Sequence, residues 1–292
     1  MPDREQQAQI GTDLAAEILK SIHIPPCPAV VLALMEEVRK DHCDFARLVK
    51  LISGDVGLAA SMLKTANSPF FGLSKKVGSV QVAVSVLGLK NLMQIVTGSA
   101  LQKALAGEKL TMERFWDRSN ATAVVAAHLA RKLHGVSRED AYAVGLFHDC
   151  GIPILMQRFP DYKEKLAAAN RSAELVITIE DESYSTNHAV VGSMLARNWF
   201  LPEHIGQAIL VHHDRDIFAP ASDRVSPTVC ALVATAMVAE HIAVTSMGGR
   251  DDAEWQVIGE AAQEYLGLSA EDMNEHTEEA LAELEEIRGY RG

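Results

Sequence analysis

The sequence predicts an all-α fold, and three observations carry that prediction. Ala, Leu and Val dominate the apolar residues while aromatics make up only 5%, a balance that suits helices packed on helices better than a sheet. Apolar residues recur at three- and four-residue spacing, as in Val30, Val31, Leu34, Met35 and Val38. The runs with this pattern are short, and residues that start or stop helices stand between them.

Taken in order, residues Asp13 to Ile22 place Leu14, Ile18 and Ile22 on one narrow stripe, a helix able to dock on the body of the protein. The run IPPCP at 24–28 breaks that helix, since proline lacks a donor and forces its predecessor extended. A fresh helix starts near Pro28. Asp44 is placed to cap FARLVKLIS. The next helix, Val56 to Ala66, ends in ANSPFFG, where Asn67, Ser68, Pro69 and Gly72 supply a turn and Phe70 and Phe71 are expected to plug the core. Ser79 caps VQVAVSVLG, and Gly88 stops it before LKNLMQIVTGSALQKAL resumes.

After a polar joint at 107–109, the longest helical pattern runs from Met112 to Leu133, with Gly135 as its stop. Ser137, with Asp140 three residues on, opens the helix bearing GLFHDCG, Gly145 to Gly151, which Pro153 ends or kinks. Asp161 to Ala169 reads as a helix, and AELVITIEDE fits either a helix or a short strand. Asn187 caps a helix carrying His188, and Pro202 sits near the first turn of one containing His212 and His213. A helix from Pro227 to Val244, the linker at Gly248 and Gly249, the helix around WQVIGEAAQEYLG and an acidic last helix complete the chain. The organisation expected is an N-terminal helix (1–23), an N-terminal helical lobe (24–110) packed on a second helical lobe (111–247), and a C-terminal helical extension (248–292).

The net charge of −12 and pI near 5.4 argue against direct nucleic-acid binding. Cys27, Cys43, Cys150 and Cys230 show no CxxC spacing, so the chain reads as a protein of a reducing compartment with neither a disulfide framework nor a thiolate zinc site. The most apolar stretch, Thr228 to Val244, is interrupted by Glu240 and His241 and reads as a buried core helix, not a membrane span. No export signal is visible, and a cytoplasmic location is expected.

One constellation stands out. His148 and Asp149, then His188, then His212 and His213, lie in apolar surroundings. Groups of this kind are costly to bury alone, so they need one another or a cation as partners. Adjacent residues on a helix diverge by roughly 100°, so His148 and Asp149 reach one ion only if other helices bring further ligands. Either a hydrogen-bonded packing pair or a metal contact satisfies this pattern. Cys150 beside them reads as a small buried residue, and Trp116 and Trp199 as packing between helices.

The order His-Asp, His, His-His resembles the HD superfamily of metal-dependent phosphohydrolases. The phrases IPPCPAVVLALME, LVKLISGDVGLAASMLKTANSPFFG, AVSVLGLKNLMQIV, FWDRSN, GLFHDCG and HAVVGSMLARNWFLPEHIGQAILVHHD together resemble the HD-related output domain (HDOD) family. That resemblance implies an all-helical bacterial regulatory protein whose HD site is often degenerate. It also implies a set of site residues. His148 and Asp149 match the namesake pair, His188 the next histidine, and His212 with His213 a His-His pair. The first ligand histidine of active relatives falls in FWDRSN, where Arg118 stands, and the final aspartate falls at Thr235, or at Ala234 one residue earlier. No GYP tripeptide follows His188.

A guanidinium cannot ligate a cation, so the resemblance implies that Arg118 sets its charge against Asp149 in place of a metal. Two functions follow as expectations. The first is a signalling module that binds a protein partner or a nucleotide-like ligand in the groove around His148. It requires no cofactor, although iron, zinc or manganese could sit among the five residues. The second is a metal-dependent phosphohydrolase of a phosphomonoester or cyclic nucleotide, with Arg118 or Lys90 binding the ligand.

Overall fold

The computed structural model describes residues 18–67, 76–106, 109–133, 135–169, 175–219, 222–249 and 253–289. Within them every regular element is helical. Most of the expected docking helix lies outside the described residues, as do Phe70 and Phe71. Residues 18–21 are helical, and Ile22 is buried.

Four helices form the first group: α1 (Ala29–Val38), α2 (Phe45–Ser53), α3 (Val56–Ala66) and α4 (Val80–Ala104). Their starts use the residues the sequence offers. Asp44 accepts from the amides of Ala46 and Arg47 at 2.9 and 3.2 Å, Asp55 from Leu58 at 3.0 Å, and Ser79 from Val82 at 3.3 Å. The Gly88 stop appears as a kink inside α4, where the backbone takes φ +73° and ψ 166°, a conformation that side chains with a Cβ avoid.

The second group is built on α5 (Lys109–Leu129), α6 (Arg138–Phe147) and α12 (Pro227–Ser246), which pack on one another. Around them lie α7 (Gly151–Arg158), α8 (Tyr162–Ala169), α9 (Val176–Tyr184), α10 (His188–Asn198) and α11 (Glu203–Val211). A 3₁₀ turn (Arg215–Phe218) follows, and α13 (Ala253–Leu266) and α14 (Ala270–Gly289) lie against α12. One continuous apolar core runs through both groups, from Ile22 to Leu284. Trp199 is fully buried, and its indole N–H donates to the Pro25 carbonyl at 2.9 Å, tying the proline-rich segment to the end of α10. The segment that fitted either helix or strand is α9.

Two helices, α4 and α12, are long and apolar enough to cross a bilayer. The kink divides α4, and 78% of the most apolar window of α12 is buried against other helices. The 20-residue length of α12 exceeds the sequence expectation for that stretch.

Some boundaries differ from expectation. The pattern read as the longest helix, Met112 to Leu133, forms the 21-residue α5 from Lys109 to Leu129, and α4, at 25 residues, is longer. Two other differences concern the central motif. The helix bearing GLFHDCG ends at Phe147, and α7 begins at Gly151, so the break precedes Pro153. Proline is tolerated in the first turn of α7, where its missing donor has no partner to lose. At the start of α7 the backbone makes a close approach to α10. A methyl group on Gly151 would overlap the His188 carbonyl, with 2.8 Å to the His188 Cα. Likewise α11 ends at Val211, which leaves His212 as its C-cap and His213 in the following turn.

Replacing Gly151 with Ala should therefore force α7 away from α10 at a cost of about 2 kcal/mol, typical of overpacking a dense core. Urea denaturation of the variant checks this, and an unchanged midpoint would remove the close approach as the reason for the glycine.

Candidate His-Asp functional site

The polar residues converge because helix ends converge. His148 and His212 cap α6 and α11, Asp149 lies in the turn between α6 and α7, and His188 is the first residue of α10. Helix ends carry free carbonyls and amides, and these orient the side chains. The Nδ1 of His148 bonds the Gly145 carbonyl at 3.0 Å, and that of His212 bonds the Ile209 carbonyl at 2.7 Å. A carbonyl only accepts, so Nδ1 carries the proton and Nε2 presents its lone pair inward in the neutral ring. His188 is held from the other side. Glu180 accepts from its backbone amide at 2.9 Å and its Nδ1 at 2.7 Å, and the Tyr162 hydroxyl donates to the same carboxylate.

Asp149 is the hub. Its Oδ1 lies 3.4 Å from His188 Nε2 and 3.8 Å from His212 Nε2. His213 Nε2 completes this side, 2.7 Å from His188 Nε2. The ligand atoms of Asp149, His188, His212 and His213 all lie within 4.8 Å of one another. Donors around a tetrahedral zinc stand about 3.3 Å apart, so the four donors are near enough to share a divalent cation, with His213 closer to His188 and His212 farther from Asp149 than that spacing. The Nε2 atom of His212 is buried without a hydrogen-bond partner, which fits a nitrogen placed for an ion. Zinc, iron or manganese bound there would act as a Lewis acid on an oxygen ligand.

The other side of Asp149 differs. His148, Asp149 and Glu240 also cluster closely enough to hold an ion. The Arg118 guanidinium reaches this group from α5, pairing with Asp149 Oδ2 and lying 3.7 Å from Glu240 Oε1. His148 Nε2 is 3.4 Å from Glu240 and 3.5 Å from Asp149. A permanent cation thus stands beside three residues that could hold an ion. It cannot polarise an oxygen as a metal does, but its charge neutralises the same carboxylates.

The structure brings Arg118, His148, Asp149, His188, His212 and His213 together and leaves Lys90 and Thr235 out. Lys90 is exposed on α4 and makes no hydrogen bond or ion pair among the described residues, so the ligand-binding role expected of it has no support in the fold. The Thr235 hydroxyl turns back to the Ala231 carbonyl of its own helix at 2.7 Å. Glu240, further along α12, instead brings a carboxylate into the cluster. Sequence reasoning missed Glu240, Glu180 and Glu254. The last reaches in from α13 to lie against His213 Nδ1. Next to it Trp255 stacks on His241 at 3.8 Å and 8°. The space left at this seam, beside Glu240 and Glu254, is about 10 Å³, room for roughly one water.

Charges in the cluster balance. Burial raises the Asp149 and Glu240 carboxyls, but His148 and Arg118 outweigh it, holding Asp149 well below its usual range and Glu240 at about 2. Burial lowers His148 and His188, yet Asp149 and Glu240 raise the first, and Glu180 and Asp149 the second, to about 9. Burial, aided by neighbouring imidazoles, lowers His212 to about 4 and His213 to about 3. Burial and the Glu240 charge push Glu254 up to about 8.

These shifts fix a pH dependence. The stability contributed by His148 and His188 is fully present below their ordinary value of 6.5 and is lost as pH rises through about 9. Chelator-treated protein should therefore melt at progressively lower temperature from about pH 7 to about pH 10, and His148→Gln should flatten that decline. Thermal melts across this range check it. A melting temperature that rises with pH would contradict the assigned charges.

Comparisons with known proteins agree with this architecture. The family model described as HDOD domain matches residues 24–215. An uncharacterized protein of Treponema pallidum is 28% identical over 206 residues, 70% of this chain and 40% of that protein. The cyclic di-GMP phosphodiesterase CdgJ of Vibrio cholerae is 24% identical over 172 residues, 54% of this chain and 38% of that protein. The chain thus spans about two fifths of the length of the curated relatives it matches. An HDOD domain protein with unknown function from Geobacter sulfurreducens superposes with a TM-score of 0.73 at 22% identity, covering 97% of each chain. Matched by the family model over most of its length, and all-helical as that model implies, the chain belongs to the HDOD family.

Proposed function

We propose that the chain is a regulatory module of bacterial signal transduction whose His-Asp cluster binds a single divalent cation and does not turn over a phosphoester. The observation that carries this reading is the Arg118 guanidinium on Asp149 and beside Glu240. Two-metal hydrolysis of a phosphoester uses paired cations to stabilise both the attacking and the leaving oxygen. Here a fixed organic cation stands where one of the pair would be, leaving Asp149, His188, His212 and His213 to hold the other.

The closed seam supports the same reading. Between α12 and α13, beside Glu240, Glu254 and Trp255, there is room for about one water, so a nucleotide-sized ligand does not enter through that seam unless α13 moves. Bound metal in this reading sets the position of α13 through His213, and a signalling protein reads that position. The second reading, a metal-dependent phosphohydrolase, draws support from the four converging imidazoles and from the partial likeness to a cyclic di-GMP phosphodiesterase.

Elemental analysis of untagged protein, with hydrolysis of cyclic di-GMP and bis(p-nitrophenyl) phosphate measured in parallel, separates the two. The expected result is about one equivalent of iron, zinc or manganese, lost in the His188→Ala, His212→Ala variant, and no hydrolysis above that of the His148→Ala, Asp149→Ala variant. Arg118→His should raise the metal content toward two equivalents. Turnover by the unaltered protein, abolished with Asp149, would establish the phosphohydrolase instead.

A further inference from the structure

A second concavity lies away from the cluster. A cleft of about 360 Å³ opens where α3 and α4 of the first helix group meet α5 and α6 of the second. Its size falls within the range of about 300–1,000 Å³ usual for small-molecule sites. The chain carries 39 acidic residues against 27 basic ones, yet among the described residues no Asp or Glu lines this cleft, while Lys64 and Lys76 do. Several other lysines meet carboxylates: Lys40 with Glu37 at 2.7 Å, Lys103 with Asp55 at 2.8 Å and Lys132 with Glu275 at 3.3 Å. Lys64 has no ion-pair partner among the described residues.

The other polar groups of the cleft are neutral hydrogen-bonding groups. The Ser61 and Ser99 hydroxyls bond each other at 2.9 Å, and the Gln102 amide approaches the Asn120 carbonyl oxygen at 3.4 Å, a long contact readily exchanged for another. The position of Lys76 is fixed by its neighbour. Asn67 at the end of α3 accepts from the Val77 amide at 2.7 Å and donates to the Val77 carbonyl at 2.8 Å. Ammonium groups with hydroxyls and amides between them are the donors that phosphate and sugar oxygens accept from. The floor, which includes Ile95, Val124 and Leu146, is apolar.

We propose that this cleft between the two helix groups binds a phosphate-bearing, hydroxylated small molecule, with the phosphate on Lys64 and Lys76 and the body over the apolar floor. This goes beyond the function proposed above and does not depend on metal in the cluster. The floor links the two places. Asn120 lies two residues from Arg118 on α5, and Leu146 lies two residues before His148 on α6. A ligand in the cleft therefore touches both helices that set the Arg118–Asp149 pair.

Isothermal titration of the full chain with AMP tests the proposal. AMP should bind one to one, and Lys64→Glu with Lys76→Glu should weaken binding by about tenfold or more, the scale expected for losing charge-assisted contacts. Ser99→Gln, which narrows the cleft without changing its charge, should weaken it too. Lys50→Glu, the same change of charge at an exposed position of α2 outside the cleft, should bind AMP as the unaltered protein does. No AMP binding, equal affinity in the Lys64, Lys76 variant, or an equal loss in the Lys50 variant would each overturn the proposal.

Discussion

The arrangement of the second helix group depends on one buried carboxylate that serves two directions. Asp149 gives one oxygen to the Arg118 guanidinium and the other to His188 and His212. A lone carboxylate in this apolar interior would be strongly destabilising. The partners come from α5, α10 and α11, so satisfying one charge fixes where three helices meet. The buried ions then close into a neutral set, with Arg118, His148 and His188 opposite Asp149, Glu240 and Glu180. Truncating one partner of such a set leaves an uncompensated charge, commonly a loss of about 3–5 kcal/mol.

Orientation comes from backbone as much as from side chains. Two imidazoles are held by carbonyls of the last turn of their own helices, and a third by a carboxylate that also caps its helix. Placing the motifs at helix termini uses polar groups that would otherwise need water. The same economy explains the tight approach of Gly151 to His188. Two helices begin almost in contact, which brings Asp149 and His188 within reach of one another.

Much of the fold was legible in the sequence because its signals are local. Asp44, Ser79, Ser137 and Asn187 cap the helices they were expected to cap, and Gly88 interrupts α4 as a stop should. The close approach of Gly151 to His188 was not legible, since it joins residues far apart in sequence, which no local pattern encodes. In the site, the five His and Asp residues were visible as polar groups in apolar sequence. Glu240 carried the same signal, a carboxylate inside the most apolar stretch, but it was read only as an interruption. Glu180 and Glu254 gave no signal, because acidic residues are common in a chain of net charge −12. Only the fold shows which of them turn inward.

The reach of Glu254 into the cluster bears on how the chain folds. The residues that meet there are drawn from positions 118, 149, 180, 188, 212, 213, 240 and 254, and none of these helices lies next to all the others in sequence. Contacts of such long separation form after local ones, because loop closure must come first. On a ribosome the early helices emerge with Arg118, His148 and Asp149 still hydrated and unpaired with their later partners. Neutralisation of the interior, and with it the final packing of α5 on α12, must wait for the carboxyl-terminal helices. The charged set is thus complete only once α12, with Glu240, has arrived.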